Sequence, residues 1–269
     1  MSPWALVTVG AGTVGYWVTL ALARSRTRRT LAAVVICDRA AIRARNAITC
    51  PAYAGRVGQA KADRLAELVR DEVAPPTRVG PLVDEAENID WPGILGGPRA
   101  GAGHRTVVLV GLDRWQSRLI VAEDLRRAAG DSGSQAVLVQ AGLDRGQASV
   151  GVFGCELADP CPACGLPALP QPEPCVVLGA DGRLVRGDLH PEAAAVGRFV
   201  RQVVEDLLAD PASGRDWIST KSNLVAPPRP GGEYRRFTRT CRVVPGCLGP
   251  HAAAPIAWDA APTAEGAPS

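Results

Sequence analysis

The sequence contains few lysines, few aromatic residues and no long apolar segment. Its 269 residues include only two lysines, Lys61 and Lys221, and aromatic residues make up 4% of the chain. A core built mainly on aromatic rings is therefore excluded, and the interior must consist of Val, Leu, Ala and Ile. No stretch reaches the ~20 consecutive apolar residues that a membrane-spanning helix needs, so we expect no membrane partner.

A strong excess of charge is also missing. The net charge is +3, whereas nucleic-acid-binding proteins usually concentrate a larger positive excess in one patch, so we expect no nucleic-acid partner. The first residues run directly into an apolar segment, without the basic region and cleavage site of a signal peptide. We therefore expect a cytoplasmic protein. In that reducing compartment its eight cysteines more often bind metal or take part in chemistry than form disulfides.

Short apolar segments alternate with helical patterns in the first part of the chain. This alternation predicts a doubly wound α/β fold, Rossmann-like, with a mainly parallel sheet covered on both faces. The apolar runs predict strands at 4–9, 31–37, 79–83, 106–110, 136–140 and 148–153. The helical spacing predicts helices at 16–23, 58–73 and 116–129, and the glycine-rich stretch 93–103 predicts a loop.

The composition changes beyond this region. Residues 159–174 are rich in Pro, Cys and Ala and predict a loop, 190–208 predict a helix, 227–232 a linker and 234–241 a strand. We therefore divide the chain into an N-terminal α/β domain (1–155), a crossover loop, helix and C-terminal part (156–251), and a disordered tail (252–269).

A glycine-rich turn connects the first strand to the first helix. Glycines in such a turn allow a tight bend, close approach of backbone N–H groups to phosphate, and close packing of helix on strand. Asp38 ends the second strand, where an acidic residue accepts hydrogen bonds from ribose hydroxyls. The pattern predicts nucleotide binding but does not separate ATP from NAD. The turn reads Gly10-Ala11-Gly12-Thr13-Val14-Gly15.

Two further segments carry a resemblance to a known family. Asp38 is followed by Ile42, Asn46 and the run Val57-Gly58-Gln59-Ala60-Lys61. The predicted strand 106–110 is followed by Asp113-Arg114-Trp115-Gln116-Ser117-Arg118. These segments resemble the ThiF/MoeB/HesA family of ATP-dependent adenylating enzymes, which are related to ubiquitin-activating enzymes. The family patterns are Asp-x-Asp-x-Val-x-x-Ser-Asn-Leu-x-Arg-Gln, Val-Gly-x-x-Lys and Asp-Asn-x-x-x-Arg.

The resemblance implies a reaction and roles for single residues. A carboxylate attacks the α-phosphate of Mg-ATP and gives an acyl-adenylate and pyrophosphate. Gly10, Gly12, Gly15 and Asp38 would hold the nucleotide, Asn46 and Lys61 would neutralise its phosphates, and Asp113 would hold Mg2+. The substrate would be the C-terminus of a small ubiquitin-like or sulfur-carrier protein, or a peptide, and the protein a homodimer. Two alternatives stay open. Lys61 is then an ordinary solvated lysine at the start of a helix, and Asp113 is then a helix-capping residue.

The cysteines suggest a metal site and an acyl acceptor. Cys161 and Cys164 form a CxxC pair, and Cys241 and Cys247 form a second pair with five residues between them. Two distant thiolate pairs can close a tetrahedral Zn2+ site, and the family has two CxxC pairs in these places. His251 is an alternative ligand, and a redox-active or an incidental CxxC is also open. By resemblance, Cys175 would receive the activated acyl group; the alternative is an ordinary loop cysteine.

The chain departs from the family pattern at two places. Ala40 replaces the second aspartate, and Thr49 and Cys50 replace the Arg-Gln pair whose arginine stabilises charge on the ATP phosphates. Arg43, Arg45 and Arg56 are close in sequence. An NAD(P)-dependent oxidoreductase and a non-catalytic nucleotide-binding pseudoenzyme or scaffold of the same fold therefore stay open as alternatives. A flavin enzyme is disfavoured, because the chain is too short for a FAD fold and a substrate domain.

Overall fold

The computed structural model describes residues 3–96, 105–144, 147–156, 159–165, 189–209, 216–225 and 234–243. The strands in these ranges are β1 (Trp4–Val9), β2 (Leu31–Cys37), β3 (Arg78–Leu82), β4 (Arg105–Val110), β5 (Ala136–Asp144), β6 (Gln147–Gly154), β7 (Thr220–Val225) and β8 (Arg235–Thr240). The helices are α1 (Thr13–Ala23), α2 (Asn46–Thr49), α3 (Lys61–Glu72), α4 (Trp91–Gly96), α5 (Trp115–Ser132) and α6 (Leu189–Ala209).

All eight strands belong to one sheet in the order β3-β2-β1-β4-β5-β6-β7-β8. The first five strands of this order run parallel, and β6, β7 and β8 continue the sheet with antiparallel pairing. The predicted mixed α/β fold with a mainly parallel sheet is therefore confirmed. The strand order reverses between β1 and β4, and in open α/β sheets ligands bind at the carboxyl ends of the strands at such a point.

Helices cover both faces of the sheet. One face packs against α1, α3 and α6, and the other packs against α4 and α5. Strand β1 contributes side chains to both hydrophobic cores. Trp4 and Leu6 belong to the core under α1, α3 and α6, and Val7 and Val9 belong to the core under α4 and α5. This alternation follows from the two-residue period of a strand, and a strand buried on both faces is apolar throughout. The unbroken apolar run of β1 in the sequence is therefore explained by burial of the strand on both faces.

Most predicted elements lie where the sequence placed them. The bounds of β1 and β2 agree with the prediction, while α1 begins at Thr13, directly after the glycine turn, and β5 continues to Asp144 because it pairs with β6 along its length. The prediction of a loop over 93–103 is wrong for its first residues. Helix α4 continues to Gly96, because Trp91, Ile94 and Leu95 are buried against the core beneath α5.

The C-terminal strands add to the same sheet as the nucleotide half. Strand β7 was not predicted, because its sequence, Thr-Lys-Ser-Asn-Leu-Val, has no apolar period. It forms because it pairs on both sides, with β6 and with β8. Every residue of β8 is exposed. The domain boundary near residue 155 stays a prediction, as does the tail from 252, which lies outside the described residues.

No helix in the described ranges combines the length and the apolar character that crossing a bilayer requires.

Two glycines of the turn allow a sharp test of the fold. A Cβ atom at Gly15 would lie 1.8 Å from the backbone oxygen of Gly10, whereas a Cβ at Gly12 would meet no atom within 4 Å. We expect Gly15→Ala to lower the free energy of unfolding by at least about 2 kcal/mol, because the backbone must move. Gly12→Ala, the matched control, should cost about 1 kcal/mol or less. Urea unfolding measures both, and equal losses would contradict this packing.

Candidate functional site

The glycine turn joins the carboxyl ends of three strands. Gly10 has a φ of +94°, a conformation that favours glycine. Its N–H donates to the carbonyl of Cys37 at 2.8 Å, and the N–H of Gly111 donates to the carbonyl of Val9 at 2.9 Å. The ends of β1, β2 and β4 are thereby held together, and the residues that follow each strand meet at one edge of the sheet.

Gly12 differs from Gly10 and Gly15, because a Cβ atom there would meet no atom of the described residues within 4 Å. It is the N-cap residue of α1, and no side chain caps the helix there. The backbone N–H groups at a helix start are unsatisfied and carry partial positive charge. With open space above Gly12, these groups are accessible to an anion such as a phosphate.

Asp38 connects the glycine turn with the loop after β2. Its Oδ2 accepts the N–H of Ala11 at 2.7 Å, and its Oδ1 accepts the N–H of Ala40 at 2.7 Å. The sequence therefore placed Asp38 correctly beside the glycine turn. Each carboxylate oxygen can accept a second hydrogen bond, so the bonds to the backbone orient the group without consuming its capacity to bind a ligand.

Lys61 reaches this site through a pairing of two loop segments. Its N–H donates to the carbonyl of Ala40 at 3.0 Å, and Ile42 exchanges hydrogen bonds with Gly58 and Gln59 at 2.9 and 2.8 Å. Lys61 is thus the first residue of α3 and lies near the residues that follow Asp38. The segment between Asp38 and Lys61 therefore forms a closed loop, held by these backbone bonds.

Thr49 stands where the ThiF/MoeB/HesA pattern has an arginine, and it belongs to a small hydrogen-bonded cluster. Thr49 is 8% exposed. Its Oγ1 accepts a hydrogen bond from Thr13 Oγ1 at 2.8 Å, and its carbonyl accepts the indole N–H of Trp17 at 2.8 Å. Burial raises the pKa of the adjacent Cys50 to about 11, although Lys61 and Thr13 lower it. This position therefore lies against the first turns of α1, while Arg43, Arg45 and Arg56 are exposed.

Asn46 stabilises a local turn. Its Oδ1 accepts the N–H of Arg43 at 2.8 Å, and its own N–H donates to the carbonyl of Arg43 at 2.8 Å. Asn46 is half-buried at the start of α2. The structure thus gives it a role in shaping the loop after β2, and its contact with a phosphate stays a prediction.

Asp113 lies in an exposed bend between β4 and α5. The helix begins at Trp115 with Arg114 as its N-cap residue, so Asp113 stands one position outside the cap. Gly111, two residues earlier, is bonded to Val9 of β1, so Asp113 follows the carboxyl end of β4 at the same edge of the sheet. An exposed carboxylate at the carboxyl end of a sheet suits a hard cation such as Mg2+.

The predicted zinc ligands are only partly described. The Sγ atoms of Cys161 and Cys164 are 3.6 Å apart. Burial raises the pKa of Cys241, while the charges of Arg239 and Lys221 lower it. Cys247 and the acyl-acceptor candidate Cys175 lie outside the described residues. Within the ranges that the structure describes, no group of three or more possible ligands is arranged to hold a metal, so the zinc site stays a prediction.

Sequence reasoning overlooked two residues on the same edge of the sheet. Gln140 is the one polar residue in the apolar run of β5, and Lys221 is the second of the two lysines. Both line a cavity beneath the start of α5. A polar residue inside an apolar strand and a lysine in an arginine-dominated chain were the available signals.

The comparisons with known proteins show the fold. No protein-family model matches the sequence, and no curated protein is significantly similar to it. The structure of E. coli MccB is similar with a TM-score of 0.60 and 15% identity, over 91% of this chain and 64% of that chain. MccB with ATP gives a TM-score of 0.60 and 14% identity, over 91% and 65%. PaaA gives 0.53 and 17%, over 90% and 65%.

These neighbours are adenylating enzymes of the ThiF/MoeB type. The chain therefore has the fold that the resemblance implied, and it spans about two thirds of the length of the MccB chain.

The buried thiols predict a loss of stability in alkali. Burial raises the pKa of Cys37 to about 12, of Cys50 to about 11 and of Cys155 to about 12. The unfolded chain loses these protons near pH 9 while the folded protein keeps them, so stability present below about pH 9 is lost as the pH rises towards 12. Each thiol contributes a slope of up to about 1.4 kcal/mol per pH unit. Urea unfolding measures this, and a Cys37→Ala/Cys50→Ala variant should show a shallower slope than the wild type.

Proposed function

We propose that this protein uses Mg-ATP to adenylate a carboxylate, producing an acyl-adenylate and pyrophosphate. The observation that carries the proposal is the open glycine turn at the switch point of the sheet, with Asp38, Lys61 and Asp113 on the same edge. The fold shared with MccB, whose crystal structures include one with ATP, supports it. These residues match the family motifs one by one.

The residues of the site fit a nucleotide triphosphate. The unsatisfied N–H groups above Gly12 would bind phosphate oxygens, and Lys61 would neutralise their charge. Asp38, already oriented by two backbone bonds, would accept the ribose hydroxyls. Asp113 would hold Mg2+, which shields the phosphate charge from an attacking carboxylate. The protein's main contribution would then be positioning and charge stabilisation.

The acyl substrate that we favour is the C-terminal carboxylate of a peptide. MccB has been crystallised with MccA, a peptide, and this supports a peptide over a folded carrier. A small ubiquitin-like or sulfur-carrier protein is the second choice, because it presents the same chemical group. Our proposal also includes a homodimer, a Zn2+ site on Cys161, Cys164, Cys241 and Cys247, and Cys175 as acyl acceptor.

One observation favours a second candidate function. Thr49 and Cys50 stand where the family has Arg-Gln, and both are buried and bonded within the protein. A chain without that arginine still binds a nucleotide through the glycine turn. A nucleotide-binding protein without adenylation activity is therefore the alternative, and Arg43, Arg45 or Arg56 would have to supply the missing charge in an active enzyme.

Calorimetry with Mg-ATP, NADH and NADPH tests the nucleotide. We expect saturable binding of Mg-ATP only. Asp113→Ala and Lys61→Gln should each weaken it by about tenfold or more, because each removes a charged contact to the phosphates or their metal. Asp131→Ala at the far end of α5 and Arg70→Gln at the far end of α3 are matched controls that should bind normally. Binding of NADH or NADPH alone would overturn the proposal in favour of an oxidoreductase.

Metal analysis of the purified protein tests the zinc site. We expect about one Zn2+ per chain, because two thiolate pairs complete a tetrahedral site. A Cys161→Ser/Cys164→Ser variant should lose the metal, and Cys37→Ser should retain it. A zinc-free wild-type protein, purified without chelator, would show that these cysteines serve another purpose.

A further inference from the structure

A small cavity of about 30 Å³, open to solvent, lies beneath the first turn of α5. We call it the α5 cavity. It lies on the face of the sheet that α5 covers, and the residues used below are Trp115 and Arg118 from α5, Gln140 from β5, Ser149 and Gly151 from β6, and Lys221 from β7. It shares no residue with the glycine turn.

The register of the sheet brings the polar residues of the cavity together. Gln140 pairs with Gly151, and Gly151 pairs with Lys221. Residues opposite each other on neighbouring strands have side chains on the same face. Gln140 and Lys221 therefore lie on either side of Gly151, which has no side chain. A Cβ atom at Gly151 would lie 2.5 Å from the ring of Phe153. Gln140 also pairs with Val110, so the cavity is level with the end of β4, just before Asp113.

Two buried donors in the cavity have no acceptor among the residues that the structure describes. Gln140 is 5% exposed, and its Nε2 has no hydrogen-bond partner within the described part of the chain. The indole Nε1 of Trp115 is buried in the same way and is also unpartnered there. Buried donors without acceptors are rare because each costs free energy. A bound group with acceptor oxygens would satisfy both.

The cavity also carries positive charge. Arg118 and Lys221 line it, and none of the described lining residues is acidic. The guanidinium of Arg118 is oriented by a bond from its Nε to the carbonyl of Leu112 and lies 5.5 Å from the ring centre of Trp115. Burial lowers the pKa of Lys221, and the charges of Arg239 and Arg118 lower it further, whereas Cys241 raises it.

We infer that the α5 cavity binds a carboxylate of the acyl substrate other than the one that is adenylated, because the reacting carboxylate must lie beside the α-phosphate. Planar donors from Arg118, Gln140 and Trp115, together with the ammonium of Lys221, suit a small planar anion with two acceptor oxygens. A phosphate already has its place at the glycine turn. The cavity is centred on β6, three strand spacings or roughly 15 Å from β1. Anion binding itself rests on the cavity alone, whereas identifying the anion as part of the substrate rests on the proposed function.

The indole N–H of Trp115 offers a direct readout in the full-length protein. In a 15N-labelled sample, the Trp115→Phe variant identifies its NMR signal. We expect glycylglycine, which carries a C-terminal carboxylate, to shift that signal saturably. Glycylglycinamide, which lacks the carboxylate, should leave it unchanged. Inorganic phosphate, added separately, asks whether the cavity accepts a different anion.

Variants connect the signal to the charges of the cavity. Lys221→Gln should weaken glycylglycine binding by about tenfold or more, because it removes the ammonium. Arg239→Gln, which removes a positive charge one strand away in the same register, is the matched control and should change binding less than about threefold. Gln140→Met keeps the length of the side chain, removes its donor and should also weaken binding, so the test stands even where one variant folds poorly.

The outcomes separate this inference from the proposed function. A shift with phosphate but not with glycylglycine would overturn the assignment to a carboxylate. No shift with either, or equal weakening by Lys221→Gln and Arg239→Gln, would overturn the cavity as an anion site. Calorimetry with Mg-ATP on the same samples is independent. Glycylglycine binding without Mg-ATP binding would uphold the cavity and overturn the adenylation proposal.

Discussion

The close approach of three glycine backbones at the carboxyl ends of β1 and β4 is the constraint on which the site depends. An added Cβ would meet the oxygen of Gly10 at 1.8 Å from Gly15, the oxygen of Gly111 at 2.8 Å from Gly10, and the nitrogen of Gly15 at 3.2 Å from Gly111. Helix α1 can start directly above the strands only because all three positions lack a side chain. This packing places the open end of the helix, Asp38 and Asp113 around one point, since each follows a strand that ends there.

The second organising feature is the loop after β2. Asp38 bonds to the glycine turn and to Ala40, and the segment from Ala40 to Ile42 pairs with the segment that leads into α3. Lys61 therefore depends on Asp38 for its position, although 22 residues separate them in the sequence. Thr49 fills the space between this loop and α1. The loop that carries the family motif thus encloses buried side chains, Thr49 among them. An arginine at position 49 would have to extend out of this buried region to reach a ligand.

Local patterns predicted the parallel half of the fold well. The apolar runs of β1 and β2 are visible because both faces of these strands are buried, and the glycine turn is visible because its geometry excludes side chains. The family motifs then placed Asp38, Lys61 and Asp113 on one edge. Prediction failed where structure depends on distant partners. Strand β7 has a polar sequence and exists through its neighbours β6 and β8, and helix α4 contains two glycines and is held by its contact with α5. The pairing of Gln140 with Gly151 and of Gly151 with Lys221 has no local signature, so no motif could have revealed the α5 cavity.

The two outer strands of the sheet bear on the behaviour of the protein at high concentration. An outer strand presents unpaired backbone groups that can recruit a strand from another molecule and begin aggregation. Strand β3 is only five residues long and contains Pro81, which has no N–H to donate. Strand β8 carries Arg235, Arg236 and Arg239 on its exposed surface. Repulsion between like charges would oppose the pairing of two β8 strands. Intermolecular strand pairing is thus opposed at the β3 edge by the short strand and its proline, and at the β8 edge by positive charge.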